Sequence, residues 1–105
     1  MTQTELLQRI KELLQALYGP RFRSLVLYGS VARGEDGPDS DIDLLCLLQD
    51  PARNESSIIH DATYALQLEY FNYSDRMFNI IPVNEADYQR RIPLYMEARK
   101  DGVLV

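Results

Sequence analysis

The chain has 105 residues, 46% hydrophobic and 26% charged, with a formal net charge of −5, so one small domain with a thin but sufficient core is expected. The acidic balance argues against tight nucleic-acid binding, which needs clustered Lys and Arg to displace counterions. No run reaches the length of a membrane span, the start MTQTELLQRI lacks the cationic head and apolar middle of a signal peptide, and a single Cys46 fits a reducing cytoplasm.

In chain order, Thr2 and Glu5 form a capping box that opens a helix. Leu6, Ile10, Leu13, Leu14 and Leu17 make its apolar stripe, and Gly19-Pro20 stops it. Arg23 to Tyr28 (RSLVLY) reads as a buried strand, Ser30 to Gly34 as a turn or short helix, and Glu35 to Ser40 as a polar loop holding Gly37-Pro38. A second strand runs from Asp41 to about Leu48. Ile42, Leu44, Cys46 and Leu48 lie on one face of it, with Asp41, Asp43, Leu45 and Leu47 on the other. A helix over Glu55 to about Phe71 turns Ile58, Ile59, Ala62, Leu66 and Tyr70 inward. Met77 to Val83 is a third strand, placed at an edge or end by Pro82. Asn84 caps a further helix, interrupted by Pro93 and restarting through about Arg99 before Gly102, and Val103 to Val105 can add a short strand. The order predicts an α/β layer architecture in a single domain over residues 1–105.

The chemistry concentrates between the first two strands. Asp41 and Asp43 share a strand face with α-carbons roughly 6.5–7 Å apart, so their carboxylates can converge on a hard divalent cation. Bare carboxylates on an otherwise apolar face are costly unless paired, wet or metal-bound. Mg²⁺ would offset their repulsion and link them to triphosphate oxygens. Gly29-Ser30 leaves a strand and can expose backbone N–H groups to a phosphate. With one Cys and one His in the chain, a zinc site is not expected.

Several neighbours have plainer readings. Ser30 can cap the following turn, Ser40 can cap or buttress the loop, and Arg33 is either a surface residue or a Coulombic partner for phosphate. Glu35 and Asp36 read as a solvated acidic loop. His60 reads as a surface or partly buried helix residue and Cys46 as core. Arg90, Arg91, Arg99 and Lys100 read as solvated helix faces, or as contacts for an acidic partner. The tyrosines read mostly as core or interface.

Gly29-Ser30, ten intervening residues, then Asp41-x-Asp43, within GSVARGEDGPDSDIDLL, resembles the signature of the DNA polymerase β-like nucleotidyltransferase superfamily. Ala32-Arg33-Gly34 and Ser40 to Leu44 are similar to its smallest members, the minimal nucleotidyltransferases. The resemblance implies a palm-like α+β fold, a small mixed sheet flanked by helices. It implies ATP with Mg²⁺ and nucleotidyl transfer, with Asp41 and Asp43 catalytic and metal-holding, and Gly29, Ser30, Arg33 and Ser40 on the nucleotide. Such proteins are often antitoxins of HEPN-type toxins, and some adenylylate a tyrosine on the toxin; a homodimer is also open. The superfamily commonly sets a third carboxylate on the next strand, where this chain has Asn79, a neutral oxygen ligand that cannot act as a base. Two readings follow: an adenylyltransferase acting on its partner, or a nucleotide-binding module that neutralises the partner by covering it. Transfer to a small molecule such as an aminoglycoside usually requires a further acceptor-binding domain.

Overall fold

The computed structural model describes residues 1–37 and 40–105; the second half of the expected Gly37-Pro38 turn and Asp39 of the acidic loop lie outside the described residues. Helix α1 (Gln3–Tyr18) starts on the expected capping box: the Glu5 N–H donates to Thr2 Oγ1 at 3.1 Å, and the Thr2 N–H donates to Glu5 Oε1 at 3.3 Å. Its buried residues are Leu6, Ile10, Leu14 and Tyr18, a single row at a spacing of four. Leu13 and Leu17, expected in the same stripe, are instead 37% and 43% exposed. One row suffices because the sheet beneath is small and α1 shares its face with α3 (Glu55–Tyr70).

A 3₁₀ turn (Gly19–Arg21) leads into β1 (Phe22–Tyr28), followed by the short α2 (Gly29–Arg33) and β2 (Ile42–Leu48). Strand β3 is Phe78–Asn84, α4 is Pro93–Asp101 and β4 is Val103–Leu104. The sheet order is β3-β2-β1-β4, with β1 antiparallel to β2 and β4, and β2 parallel to β3. The parallel pair needs a crossover, and α3 supplies it. Pro82 indeed lies in an edge strand, one side of which makes no ladder bonds. Central β2 is apolar on both faces. Ile42, Leu44, Cys46 and Leu48 join α1 and α3, whereas Leu45 and Leu47 meet Val26, Tyr28, Val83 and Ala98 of α4. Deep burial pushes the Cys46 thiol up to about 12, so it behaves as core.

Two expectations about helices need correction. Within α3, Ile59, Leu66 and Tyr70 are buried, but Ile58 and Ala62 are only partly so; Glu55, Thr63 and Gln67 take the interior instead. Each of these polar groups is satisfied there, which makes burial tolerable. Thr63 donates to the Ile59 carbonyl at 2.8 Å. The Gln67 amide donates to the Arg76 carbonyl and accepts from the Phe78 N–H, closing the start of the β3 edge. After β3, Asn84 does cap, accepting from Ala86 N–H at 3.1 Å, but only a 3₁₀ turn (Glu85–Asp87) follows. Ile92 is extended, as a residue before proline must be, so the helix starts afresh at Pro93. Arg99, expected on a solvated face, donates to the carbonyls of Tyr88 and Arg90 and lies over the Tyr88 ring, holding this irregular stretch. Among the described residues no helix is long and apolar enough to cross a membrane.

Candidate functional site

The end of β1 and the start of β2 meet where the motif predicts. Tyr28 pairs with Asp43 across the antiparallel ladder, and the chain leaves the strand at the next residue. Gly29 has φ +76°, and a β-carbon there would lie 2.8 Å from Asp43 Oδ2. The carboxylate therefore rests against a bare α-carbon, and only glycine gives both the backbone angle and the space. On the other side of β2, the parallel register sets Asn79 beside Asp43. The Asn79 amide donates to Asp41 Oδ2 at 3.2 Å and also stabilises the charged form of Asp43. Asp41, Asp43, Asn79 and Gly29-Ser30 thus gather at one end of the sheet. Helix α2 opens there with no side chain capping its first N–H groups and closes on Gly34, at φ +70°.

The electrostatics of this end are lopsided. Burial raises the Asp43 carboxyl above the usual range, and the charges of Asp41 and Glu97 raise it further, against the Asn79 amide. Tyr28 is raised too, by burial and then by Asp43 and Glu97. Glu97 on α4 is the residue that the sequence did not reveal. It sits in a stretch, PLYMEARK, with no motif, and only the packing of α4 beside α2 brings it near. Arg33 Nη1 lies 2.5 Å from Glu97 and Arg33 Nε 3.0 Å from Glu35, so its guanidinium is committed to two carboxylates.

The loop between the motifs is held more tightly than a solvated acidic stretch. Asp36 lies 2.7 Å from Arg76 and is only 24% exposed, and that pairing pulls its carboxyl below the usual range. Arg76 also donates to the Gly37 carbonyl at 3.0 Å. Ser40 acts as a buttress: its Oγ accepts from the Gly37 N–H at 3.0 Å, and its own N–H donates to the Gly37 carbonyl. Glu35 stays open to solvent apart from Arg33.

The donor set suits a hard cation. Among the described residues no cluster of three acidic, His or Cys side chains could hold a metal, so two carboxylates and one amide are what the site offers. All donate through oxygen once the Asn79 amide turns its Oδ1 inward. The charges of Asp41 and Glu97 both act on Asp43, and Glu97 is itself paired with Arg33.

Residues 7–95 match the family model described as a nucleotidyltransferase domain, and the chain belongs to that family. Two curated relatives, aminoglycoside nucleotidyltransferases (4') of Staphylococcus aureus and a Bacillus species, are each 24% identical over 100 residues, covering 87% of this chain and 38% of theirs. The chain therefore spans under two-fifths of those relatives. A nucleotidyltransferase candidate from Sulfolobus solfataricus superposes with a TM-score of 0.59 at 23% identity, over 95% of this chain and 76% of that one. A toxin–antitoxin complex with AMP-PNP gives 0.58 at 15% identity, over 98% and 72%, and a variant of the toxin–antitoxin MntA–HpeT gives 0.55 at 20%, over 93% and 69%. These likenesses share the fold, a mixed sheet flanked by helices, as the resemblance to minimal nucleotidyltransferases implies.

Proposed function

We propose that residues 1–105 form one minimal nucleotidyltransferase domain that transfers AMP from ATP to a partner protein, a HEPN-type toxin, as the cytoplasmic antitoxin of a pair. The observation that carries this reading is the meeting of Asp41, Asp43 and Asn79 with the bare backbone of Gly29, whose missing β-carbon leaves room at the carboxylates. Asp41 and Asp43, with Asn79 as a neutral donor, would hold Mg²⁺, which when bound neutralises triphosphate charge and steadies the leaving pyrophosphate. Gly29 and Ser30 orient the β- and γ-phosphates, Ser40 fixes the loop between them and the carboxylates, and Arg33 counters phosphate charge. The acceptor hydroxyl then attacks the α-phosphorus in line. Asn79 cannot take its proton, so deprotonation falls to another group or to solvent. An apolar groove of about 370 Å³ between α3 and β3 reaches Asn79, with exposed Leu68, Phe71 and Met77 along it. A surface of that kind favours an acceptor presented by another protein.

The test is incubation with the cognate partner, ATP and Mg²⁺. Intact-mass spectrometry should show AMP added to the partner, and Asp43→Ala should abolish the adduct while complex formation persists. Asn79→Asp should raise the rate. The second reading, a module that neutralises by covering, is favoured by Asn79 and by the pairing of Arg33. It expects no adduct and full neutralisation by Asp43→Ala. Replacing the partner with an aminoglycoside in the same assay tests the acceptor class that the curated relatives' names suggest.

A further inference from the structure

Arg33 stands one turn beyond Gly29 on α2. That short helix opens at the glycine turn whose bare α-carbon rests against Asp43. The Arg33 guanidinium is held by Glu97, which belongs to a different element, α4. The other carboxylate on Arg33, Glu35, lies two residues along the same segment and ties α2 to nothing else. Among the described residues, the Arg33–Glu97 pair is the side-chain ion pair that joins α4 to the end of the sheet where the carboxylates gather.

We propose that Glu97 is a positioning residue that keeps Arg33 in reserve, tying it to α4 until a triphosphate seated at Gly29-Ser30 draws the guanidinium away. This rests on the reading of Arg33 as a phosphate partner given above. The side chains are 32% and 45% exposed, so water and a competing anion reach the pair. An exposed ion pair is weak, whereas a triphosphate offers several charges to the same planar fork. The exchange has a second consequence. Freed of Arg33, Glu97 leaves its charge uncompensated beside Asp43 and Tyr28, making this end of the sheet more attractive to a cation. Phosphate and metal binding are then coupled through one side chain, and the coupling runs equally in both directions.

The test is calorimetric titration of the full chain with inorganic tripolyphosphate, first without metal. Arg33→Ala should weaken binding about tenfold, as expected for loss of a charge-assisted contact. Glu97→Gln should strengthen it about threefold, the scale of an exposed ion pair. In the Arg33→Ala background, Glu97→Gln should give a clearly smaller gain, that of removing one negative charge alone. An equal gain in both backgrounds overturns the proposal, because Glu97 would then act only through its field. Glu97→Asp sharpens the distinction, since it keeps the charge but shortens the reach by one methylene. It should bind like Glu97→Gln, and parent-like binding overturns the latch. If Arg33→Ala binds as the parent does, Arg33 is not a phosphate partner and the proposal falls with that assignment, while the AMP-transfer assay still judges the reaction separately. Magnesium titrations supply a further readout. Tripolyphosphate should tighten magnesium binding in the parent more than in Glu97→Gln, and equal tightening counts against the coupling. Thermal melting of each variant confirms that both solvent-exposed positions leave the fold intact.

Discussion

Two acids, Glu55 and Asp43, enter the same sheet-and-helix core and are treated in opposite ways. Glu55 is 3% exposed, yet the Tyr18 hydroxyl donates to it at 2.6 Å, the Ala52 N–H at 3.1 Å, and Arg21 lies 3.4 Å away. Burial alone would raise its carboxyl; these donors outweigh burial and bring it below the usual range. Asp43 has the reverse surroundings: partial burial, two neighbouring acids and one amide, and a carboxyl raised as a result. A carboxylate kept for the fold is surrounded by donors. Asp43, at the start of β2, has the Asn79 amide set against burial and two like charges.

The largest effect should come from breaking the satisfied site. Glu55→Ala strands the Tyr18 hydroxyl and Arg21, and chemical denaturation should show a loss of about 3 kcal/mol. The pH dependence of the two acids then separates them. Glu55 has a depressed folded value, so its contribution is full above the ordinary glutamate range and is lost as pH falls through that folded value. Asp43 has a raised one, so its ionisation costs stability as pH rises from the ordinary aspartate range through the folded value. A fold whose acid sensitivity is unchanged by Glu55→Gln would break the comparison.

Next in size is Gly29→Val, which imposes a side chain at φ +76° and pushes on Asp43 Oδ2. Backbone strain of about 1–3 kcal/mol is expected in melting experiments, and ATP binding should be lost. Retention of parent affinity would remove this turn from the phosphate site. Asp43→Asn should do the opposite to stability, raising the melting temperature by a few degrees in metal-free buffer at neutral pH. That gain should shrink toward the ordinary aspartate range and on adding Mg²⁺. Paired with Asp41→Asn, it should also abolish the metal dependence of ATP binding, and equal affinity with and without chelator would rule out the metal role. The smallest effect is that of Ser30→Ala, about 1 kcal/mol in ATP affinity if one hydrogen bond is lost.

What was legible in the sequence was local or strictly periodic. The capping box at Thr2 and Glu5 needs only three residues. The two faces of β2 follow from alternation, and the missing N–H of Pro82 left β3 an edge position or an end, of which the structure has the edge. The motif could be read because Gly29-Ser30 and Asp41-x-Asp43 lie at the two ends of one short connection between strands that pair with each other. Leu13 and Leu17 misled because periodicity names an apolar stripe but not its width, which depends on how much sheet lies beneath. The interior of α3 misled for a related reason: Glu55, Thr63 and Gln67 are polar by type, and only their partners on other elements make burial tolerable.

The remaining features depend on contacts between distant segments. The order of residues determined that two carboxylates would share one strand face beside a glycine turn, because strand geometry fixes side-chain direction at every second position. It also determined that a helix must stop at Gly19 and start afresh at Pro93, because those residues restrict or free the backbone by themselves. Tertiary structure alone decided that Asn79 would donate to Asp41, that Arg76 would hold Asp36, and that Glu97 would hold Arg33. Charges on separate elements carry no mutual signature along the chain. Their pairing arises only when hydrophobic burial brings the elements together, and burial is indifferent to which surface charges it sets side by side.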